Sequence, residues 1–375
     1  MSQEKIKITH VTRFAHPHIG GIEAVINQIN ESLSNEEFDK EVLCCSNTEK
    51  SSIENGVKYN RARYWFEVFN NTISLSFLWK LSRVKTDILH YHMPFIFAVI
   101  CHFIARPKYK KLYITYHAEL CGYDKVMKYF WWLYKYFYKI ADRIHILSPN
   151  VIYSDKILTP FKDKCYVLPF GVNTQLKDNE QQNKVKELYK DKKILLCSGR
   201  LVRFKGFQYA IEAMKNIENA VLLIMGDGNY REYLEEQIEH NHLQNKVILL
   251  GEIADKNYKN ELFEACDIFL LPSIQRTESF AIVQLEAMRH AKPVINTNLG
   301  TGVNFVSIDK QTGITIEPEN SDELAKAIND LLNNNQLCLE YGRNARERVK
   351  IRFDINKIQN EYTTLYEKSD IITTT

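Results

Sequence analysis

No aspartate in this chain is followed two residues later by a second. The paired carboxylates that would hold Mg2+ or Mn2+ against a nucleoside diphosphate are therefore missing in that form. No G-x-G-x-x-G follows a strand-like run, which removes the dinucleotide fingerprint and with it a dehydrogenase. The cysteines (Cys44, Cys45, Cys101, Cys121, Cys165, Cys197, Cys266, Cys338) form no C-x-x-C pair, and several lie inside apolar runs. Free buried thiols in a reducing compartment are expected, not disulfides or zinc. Residues 1–7 hold no signal-peptide apolar region. The longest apolar run, 94–105, is well short of the roughly 20 residues a bilayer span needs. Lys and Arg exceed Asp and Glu by 49 − 46 = 3, too little to imply a nucleic-acid partner. A cytoplasmic protein is expected.

What is present is a regular alternation. Strand-like runs fall at 7–11, 41–45, 88–91, 112–116, 143–147 and 166–168, then at 194–197, 221–225, 247–250, 268–271 and 294–296. Helix-length segments separate them, among them 21–33, 74–83, 95–105, 125–141, 206–216, 230–239, 258–265, 280–290 and 322–333. Continuous apolar strands between helices predict an α/β protein with parallel sheets covered on both faces. At 375 residues the chain exceeds one core and predicts two domains. The polar stretch 177–192 marks the seam. The expected division is a Rossmann-like domain over 1–172, a second over 173–352, and a C-terminal helix from 353 that packs on either domain, with a ligand cleft between the two at the carboxyl ends of their strands.

The most informative segment is Leu271-Pro272-Ser273-Ile274-Gln275-Arg276-Thr277-Glu278-Ser279-Phe280-Ala281-Ile282-Val283-Gln284-Leu285-Glu286. A strand breaks at proline, crosses a polar loop and opens a helix, with one carboxylate before the first turn and another eight residues on. A helix start offers unpaired N–H groups and a positive dipole end to a phosphate, while carboxylates grip sugar hydroxyls. After the first strand of the second half come Gly199-Arg200-Leu201-Val202-Arg203-Phe204-Lys205-Gly206. Arg200 and Lys205 there neutralise a departing diphosphate, or form a solvated basic turn. Gly20-Gly21 permits close backbone approach of a phosphate or sugar, or merely enters a helix. His117, ending a strand, faces the cleft or makes a structural hydrogen bond. His90, His92 and His102 read as packing residues, and Gly226-Asp227-Gly228 as a tight turn.

Lys125, Lys128, Trp132, Lys135 and Lys139 are spaced 3, 4, 3 and 4 residues apart and form one helical stripe amid many aromatics. A basic, aromatic helix suits an anionic membrane surface or a lipid-linked substrate. A core helix with a wet lysine face is the alternative.

In this order, Gly20-Gly21, His117, Gly199-Arg200, Lys205-Gly206, Gly226-Asp227-Gly228 and the E-x7-E pair Glu278 and Glu286 resemble the retaining glycosyltransferases of family 4, which have the GT-B architecture of two Rossmann-like domains. The resemblance spans nearly the whole chain. It implies that Arg200 and Lys205 hold the donor diphosphate; with D-x-D missing, these cations and the helix dipole replace a divalent metal, and no cofactor is expected. Glu278 contacts the transferred sugar, and Ser279, Phe280, Ala281, Ile282 and Val283 cradle sugar and phosphate. Glu286 binds the ribose, Gly251 and Ile253 frame the base, His117 approaches the donor sugar, and Gly20 and Gly21 border the donor phosphates and acceptor. The implied partners are a GDP-mannose-type or UDP-hexose donor and a glycan or lipid-linked glycan acceptor, as in lipopolysaccharide, O-antigen or capsule synthesis at the inner face of the cell membrane. Leu299-Gly300-Thr301-Gly302-Val303 with Pro293-Val294-Ile295-Asn296-Thr297 resembles mannosyl- and rhamnosyl-type members. Ala281 stands where the family usually has glycine. A GT-B sugar-nucleotide epimerase and a non-catalytic glycan- or membrane-binding relative are the alternatives.

Overall fold

The computed structural model describes residues 4–18, 20–68, 71–118, 124–176 and 183–367, with the side chains of 124–128 and of Ser154 outside that description. The chain forms two compact units, Met1–Gly171 with Asn356–Thr375, and Val172–Ile355. The first contains strands β1 (Ile6–Val11), β2 (Phe38–Ser46), β3 (Ser52–Glu54), β4 (Val57–Arg63), β5 (Phe66–Val68), β6 (Asn71–Ile73), β7 (Lys85–Met93), β8 (Lys108–Tyr116), β9 (Arg143–Ile146) and β10 (Cys165–Val167). Its helices are α1 (Gly21–Ser32), α2 (Leu75–Leu81), α3 (Ile96–Ala105), α4 (Asp124–Ile140) and α5 (Asn150–Ser154). The second contains β11 (Lys193–Ser198), β12 (Ala220–Met225), β13 (Val247–Gly251), β14 (Ile268–Leu271), β15 (Val294–Thr297) and β16 (Gly313–Ile316). With them go α6 (Lys184–Leu188), α7 (Phe207–Ala213), α8 (Arg231–His240), α9 (Lys256–Ala265), α10 (Val283–Arg289), α11 (Gly302–Val306), α12 (Ser321–Asn333) and α13 (Asn335–Arg352). The last helix, α14 (Ile355–Glu367), belongs from Asn356 onward to the first unit.

In the first unit eight strands run in the order β10-β9-β8-β7-β1-β2-β4-β3. All pair in parallel except β3 with β4. Alternation along β7 decides what each face holds. Leu89, Tyr91 and Met93 enter the apolar core with Phe77 and Leu81 of α2, Val99 and Cys101 of α3, and Tyr134, Phe137 and Tyr138 of α4. His90 and His92 point the other way, and the His90 ring meets Tyr366 of α14. Truncating the fully buried Phe137 is worth about 3–5 kcal/mol.

In the second unit the order is β13-β12-β11-β14-β15-β16, all parallel. Every residue of β12 is buried, as an unbroken Ala220-Val221-Leu222-Leu223-Ile224-Met225 requires of a central strand covered on both faces. The chain winds outward from β11 through β12 to β13, then restarts at β14 and winds the other way. The reversal therefore falls between β11 and β14, and carboxyl-end loops diverge at such a place to leave room for a ligand. The first sheet reverses between β1 and β7.

Several elements differ from the sequence expectation. The β3–β4 pair, β16 and α13 are additional; β4 reads Val-Lys-Tyr-Asn-Arg-Ala-Arg, too polar to stand out as a strand. The helix expected over 280–290 begins at Val283. Residues 279–282 form an irregular turn in which Ala281 has φ +56°, so no regular helix forms until after it.

Candidate active site

The β11 and β14 loops are locked together by backbone. After β11 the chain turns through a short 3-10 segment, Arg203–Lys205, and leaves it at Gly206 with φ +72°. A Cβ there would stand 1.8 Å from the Pro272 carbonyl oxygen, so only glycine allows this approach. The Ile274 N–H then donates to the Phe204 carbonyl at 2.8 Å. That clamp brings two sequence-predicted residues together: Lys205 Nζ lies 2.5 Å from Glu278 Oε2, both largely shielded from water. Ser273 Oγ donates to the same carboxylate oxygen at 3.0 Å. Thr301 Oγ1 donates to the Glu278 carbonyl at 2.8 Å, Thr297 Oγ1 to the Ser273 carbonyl, and Arg276 Nη1 to the Leu299 carbonyl at 3.0 Å. The Glu278 loop is thus fastened to the loop after β15. Glu278 Oε1 has no partner among the described residues and remains available.

Beyond Glu278, the N–H groups of Ser279, Phe280, Ala281 and Ile282 have no acceptor among the described residues, whereas Gln284 N–H bonds Ala281 O at 2.9 Å and Leu285 N–H bonds Ile282 O at 3.0 Å. Ala281 is left-handed and Ile282 right-handed helical. Successive N–H groups in such alternating conformations form a concave nest for anions. This local nest replaces the helix-dipole expectation, because the seven-residue α10 starts too late to supply it. Phe280 is buried edge-on against Phe353 at 6.2 Å, while Ser279, Ile282 and Val283 are half-buried.

The other predicted residues of this unit are more dispersed. Arg200 is exposed, and its side chain has no partner among the described residues. Glu286 is paired with Arg289 at 2.8 Å, whose guanidinium also donates to Asn260 Oδ1 at 2.8 Å. Gly251, φ +76°, ends β13 and accepts a bond from Gly226 N–H at 2.8 Å, and Ile253 follows half-buried. Ser273, Thr297 and Thr301 were missed from sequence, since hydroxyls in polar loops carry no periodic signal.

In the first unit, Gly20 caps α1 in extended conformation, with Gly21 exposed beside it. The Glu23 carboxylate folds back so closely that a Cβ on Gly20 would lie 2.4 Å from its Oε2. The Glu23 carboxylate thus lies beside this helix start. His117 follows β8, with its N–H bonded to Met93 O at 3.0 Å. It is buried, and burial first, then nearby His145, lowers its pKa to about 3. The three histidines read as packing residues divide. His92 links His10 to His117 in a buried hydrogen-bonded chain, His90 bonds Tyr366 and Thr115 in a second one, and His102 bonds Tyr91 Oη in the apolar core. A polar residue recurring in otherwise apolar strands was the available signal.

On α4, Trp132, Lys135 and Lys139 are exposed, as are Tyr129, Trp131 and Tyr136, while Tyr134, Phe137 and Tyr138 are buried. Lys125 and Lys128 lie in the helical backbone, but their side chains fall outside the described residues. Among the described residues no helix is long and apolar enough to cross a membrane.

Residues 19–176 match the model of Glycosyltransferase Family 4, and residues 178–348 that of Glycosyl transferases group 1. The chain is 30% identical over 370 residues to the O-antigen chain mannosyltransferase C of Escherichia coli, covering 96% of this chain and 98% of that one. It is 27% identical to the D-rhamnosyltransferase WbpZ of Pseudomonas aeruginosa, covering 89% and 88%. Among solved structures, sucrose-phosphate synthase of Thermosynechococcus elongatus shares the fold at TM-score 0.82 and 20% identity, over 98% of this chain and 100% of that one. HepE of Anabaena, solved in complex with UDP, shares it at TM-score 0.76 and 19% identity, over 96% and 100%. The chain belongs to the GT-B glycosyltransferases of family 4, alongside transferases that build bacterial surface polysaccharide.

Proposed function

We propose that this glycosyltransferase moves a hexosyl group from a nucleotide-sugar donor of the GDP-mannose or UDP-hexose type to a glycan or lipid-linked glycan, retaining the anomeric configuration and needing no divalent metal. The observation that carries the donor site is the Lys205–Glu278 contact at the winding reversal of the second sheet. An ammonium group has three N–H donors. With one on Glu278, two remain for diphosphate oxygens, and the free N–H groups of 279–282 add others. Arg200, exposed and with no side-chain partner among the described residues, supplies a second cation.

Transfer breaks the bond from the anomeric carbon to the diphosphate oxygen, and negative charge grows on the leaving oxygen. Lys205, Arg200 and the backbone nest stabilise that charge where it develops. Glu278 Oε1 orients sugar hydroxyls. The acceptor hydroxyl forms the new bond from the face the diphosphate leaves, and its proton passes to the departing phosphate. No enzyme nucleophile is used. Glu286 and the Gly251–Ile253 loop serve ribose and base, and His117 reaches the donor sugar. Gly20 and Gly21 border the donor phosphates and the acceptor.

The basic aromatic face of α4 supports docking on an anionic membrane surface. All four tryptophans of the chain, Trp65, Trp79, Trp131 and Trp132, are exposed and lie in the first unit. Amphipathic rings of this kind sit at headgroup level. The test of the donor reading is binding and transfer with GDP- and UDP-sugars in EDTA. Activity that appears only on adding a divalent metal overturns the metal-free reading. Full activity in Lys205→Ala overturns the site.

A further inference from the structure

The first unit contains two buried hydrogen-bonded chains whose polarity follows from the groups at their ends. In one, Tyr366 Oη meets His90 Nδ1 at 2.5 Å, His90 Nε2 meets Thr115 Oγ1 at 2.7 Å, Thr115 Oγ1 meets His145 Nδ1 at 2.9 Å, and His145 Nε2 meets the Leu168 carbonyl at 2.6 Å. A carbonyl only accepts, so the proton of His145 is on Nε2. Every earlier link then follows: Thr115 donates to His145, His90 Nε2–H donates to Thr115, and Tyr366 donates to His90 Nδ1.

In the other chain, His10 Nδ1 lies 2.9 Å from His92 Nε2, and His92 Nδ1 lies 2.9 Å from His117 Nε2. The far nitrogen of His10, Nε2, is buried without a partner among the described residues. An orphaned buried N–H is rarer than an under-satisfied acceptor, so that nitrogen is the bare one and the His10 proton is on Nδ1. His10 then donates to His92, and His92 Nδ1–H donates to His117 Nε2. The remaining proton of His117 must be on Nδ1, which has no partner among the described residues. Burial lowers the pKa of His10 to about 3 and holds that of His92 well below its ordinary value, which keeps these rings neutral as the chain requires. His10, His90 and His92 also approach closely enough to suggest a metal cluster. Both nitrogens of His90 and of His92 are already committed to hydrogen bonds, however, and an ion would have to break them.

We infer that His92, backed by His10, is a positioning residue that fixes His117 as the Nδ1–H tautomer, so that His117 presents a neutral N–H donor to an oxygen of the nucleotide-sugar. The target of that donor rests on the donor-side reading of His117 given above; the tautomer itself does not.

The test uses the full chain labelled with 15N in its histidine rings at pH 7.5, with the His117 resonances identified by their loss in His117→Gln. Two-bond 1H–15N correlations are expected to show a protonated Nδ1 and a bare Nε2 for His117. His92→Gln, whose amide can donate to the same nitrogen, keeps that pattern, and His92→Phe moves the proton to Nε2. In donor kinetics His92→Phe lowers kcat/KM roughly tenfold, the scale of losing a ligand-orienting partner, while His92→Gln stays within about threefold. A wild-type His117 protonated on Nε2 overturns the inference, and so does an unchanged tautomer in folded His92→Phe. If His92→Phe fails to fold, the wild-type spectrum and His92→Gln still decide. An Nδ1–H His117 in a protein that binds no nucleotide-sugar would sink the donor reading and leave the positioning role standing.

Discussion

Where the first sheet reverses its winding, between β1 and β7, the strands themselves carry His10, His90 and His92 on one face, nearly excluded from water. Where the second reverses, between β11 and β14, the paired strand residues are Leu195 with Ile268 and Leu196 with Phe269, and the polar groups stand beyond them in loops. One unit builds its reversal from neutral hydrogen-bonded rings and the other from an ion pair and free amides. Neutral rings can be buried deep in a sheet once their nitrogens are paired. The ion pair is largely shielded as well, but it stands in loops beyond the strand ends, where Ser273 Oγ and the contact between the two charges offset its desolvation. The two units should therefore fail under different insults.

Acid should separate them most strongly. Burial places the pKa of His10 and His117 at about 3 and that of His145 at about 4, with His90 and His92 also well below normal. The unfolded value is about 6.5. Below it the unfolded chain binds protons that the folded rings refuse. Stability is therefore fully present above about pH 6.5 and is lost as pH falls toward the folded values, by up to about 1.4 kcal/mol per histidine per pH unit. Hydrogen exchange read by peptide on the full chain between pH 7.5 and 5 should show β7 and β8 losing protection before β11 and β12. Equal loss in both sheets would erase the contrast.

Lys205→Ala breaks the other side of the comparison. It should lower transfer by about 10²–10³-fold, the cost of one preorganised donor to a developing anion, while β7 and β8 keep their exchange protection. A smaller effect is expected at the surface. Trp132→Ala removes an exposed ring of the first unit and should weaken sedimentation with vesicles containing anionic lipid by roughly tenfold, the value of about 1.4 kcal/mol of ring burial. Unchanged sedimentation would leave α4 with only a structural role. The smallest effect sharpens the nest. Ala281→Gly places glycine at a left-handed position and should raise stability by about 0.5–1 kcal/mol, seen as a higher unfolding midpoint; a fall would mean that the methyl group packs usefully.

The apolar strand runs and the alternating helices were legible because a parallel sheet covered on both faces requires them. Lys205 and Glu278 could be singled out because each follows an apolar strand. Their contact could not, since it depends on Gly206 letting one backbone reach another. The start of α10 was misread because Phe280 continues the apolar period while Ala281, left-handed, interrupts the helix. The histidine chains were passed over because His90 and His92 alternate with Leu89 and Tyr91. A sequence shows that alternation but not which nitrogen finds which partner.

The central claim is that Lys205, Glu278 and the amides after it hold a nucleotide-sugar diphosphate. Calorimetric titration of GDP- and UDP-sugars into the wild-type chain and Lys205→Ala, both in EDTA, tests it most directly. Saturable binding to the wild type, weakened at least tenfold by Lys205→Ala (about 1.4 kcal/mol), is the predicted result. No binding of any donor, or equal binding to both proteins, would contradict it.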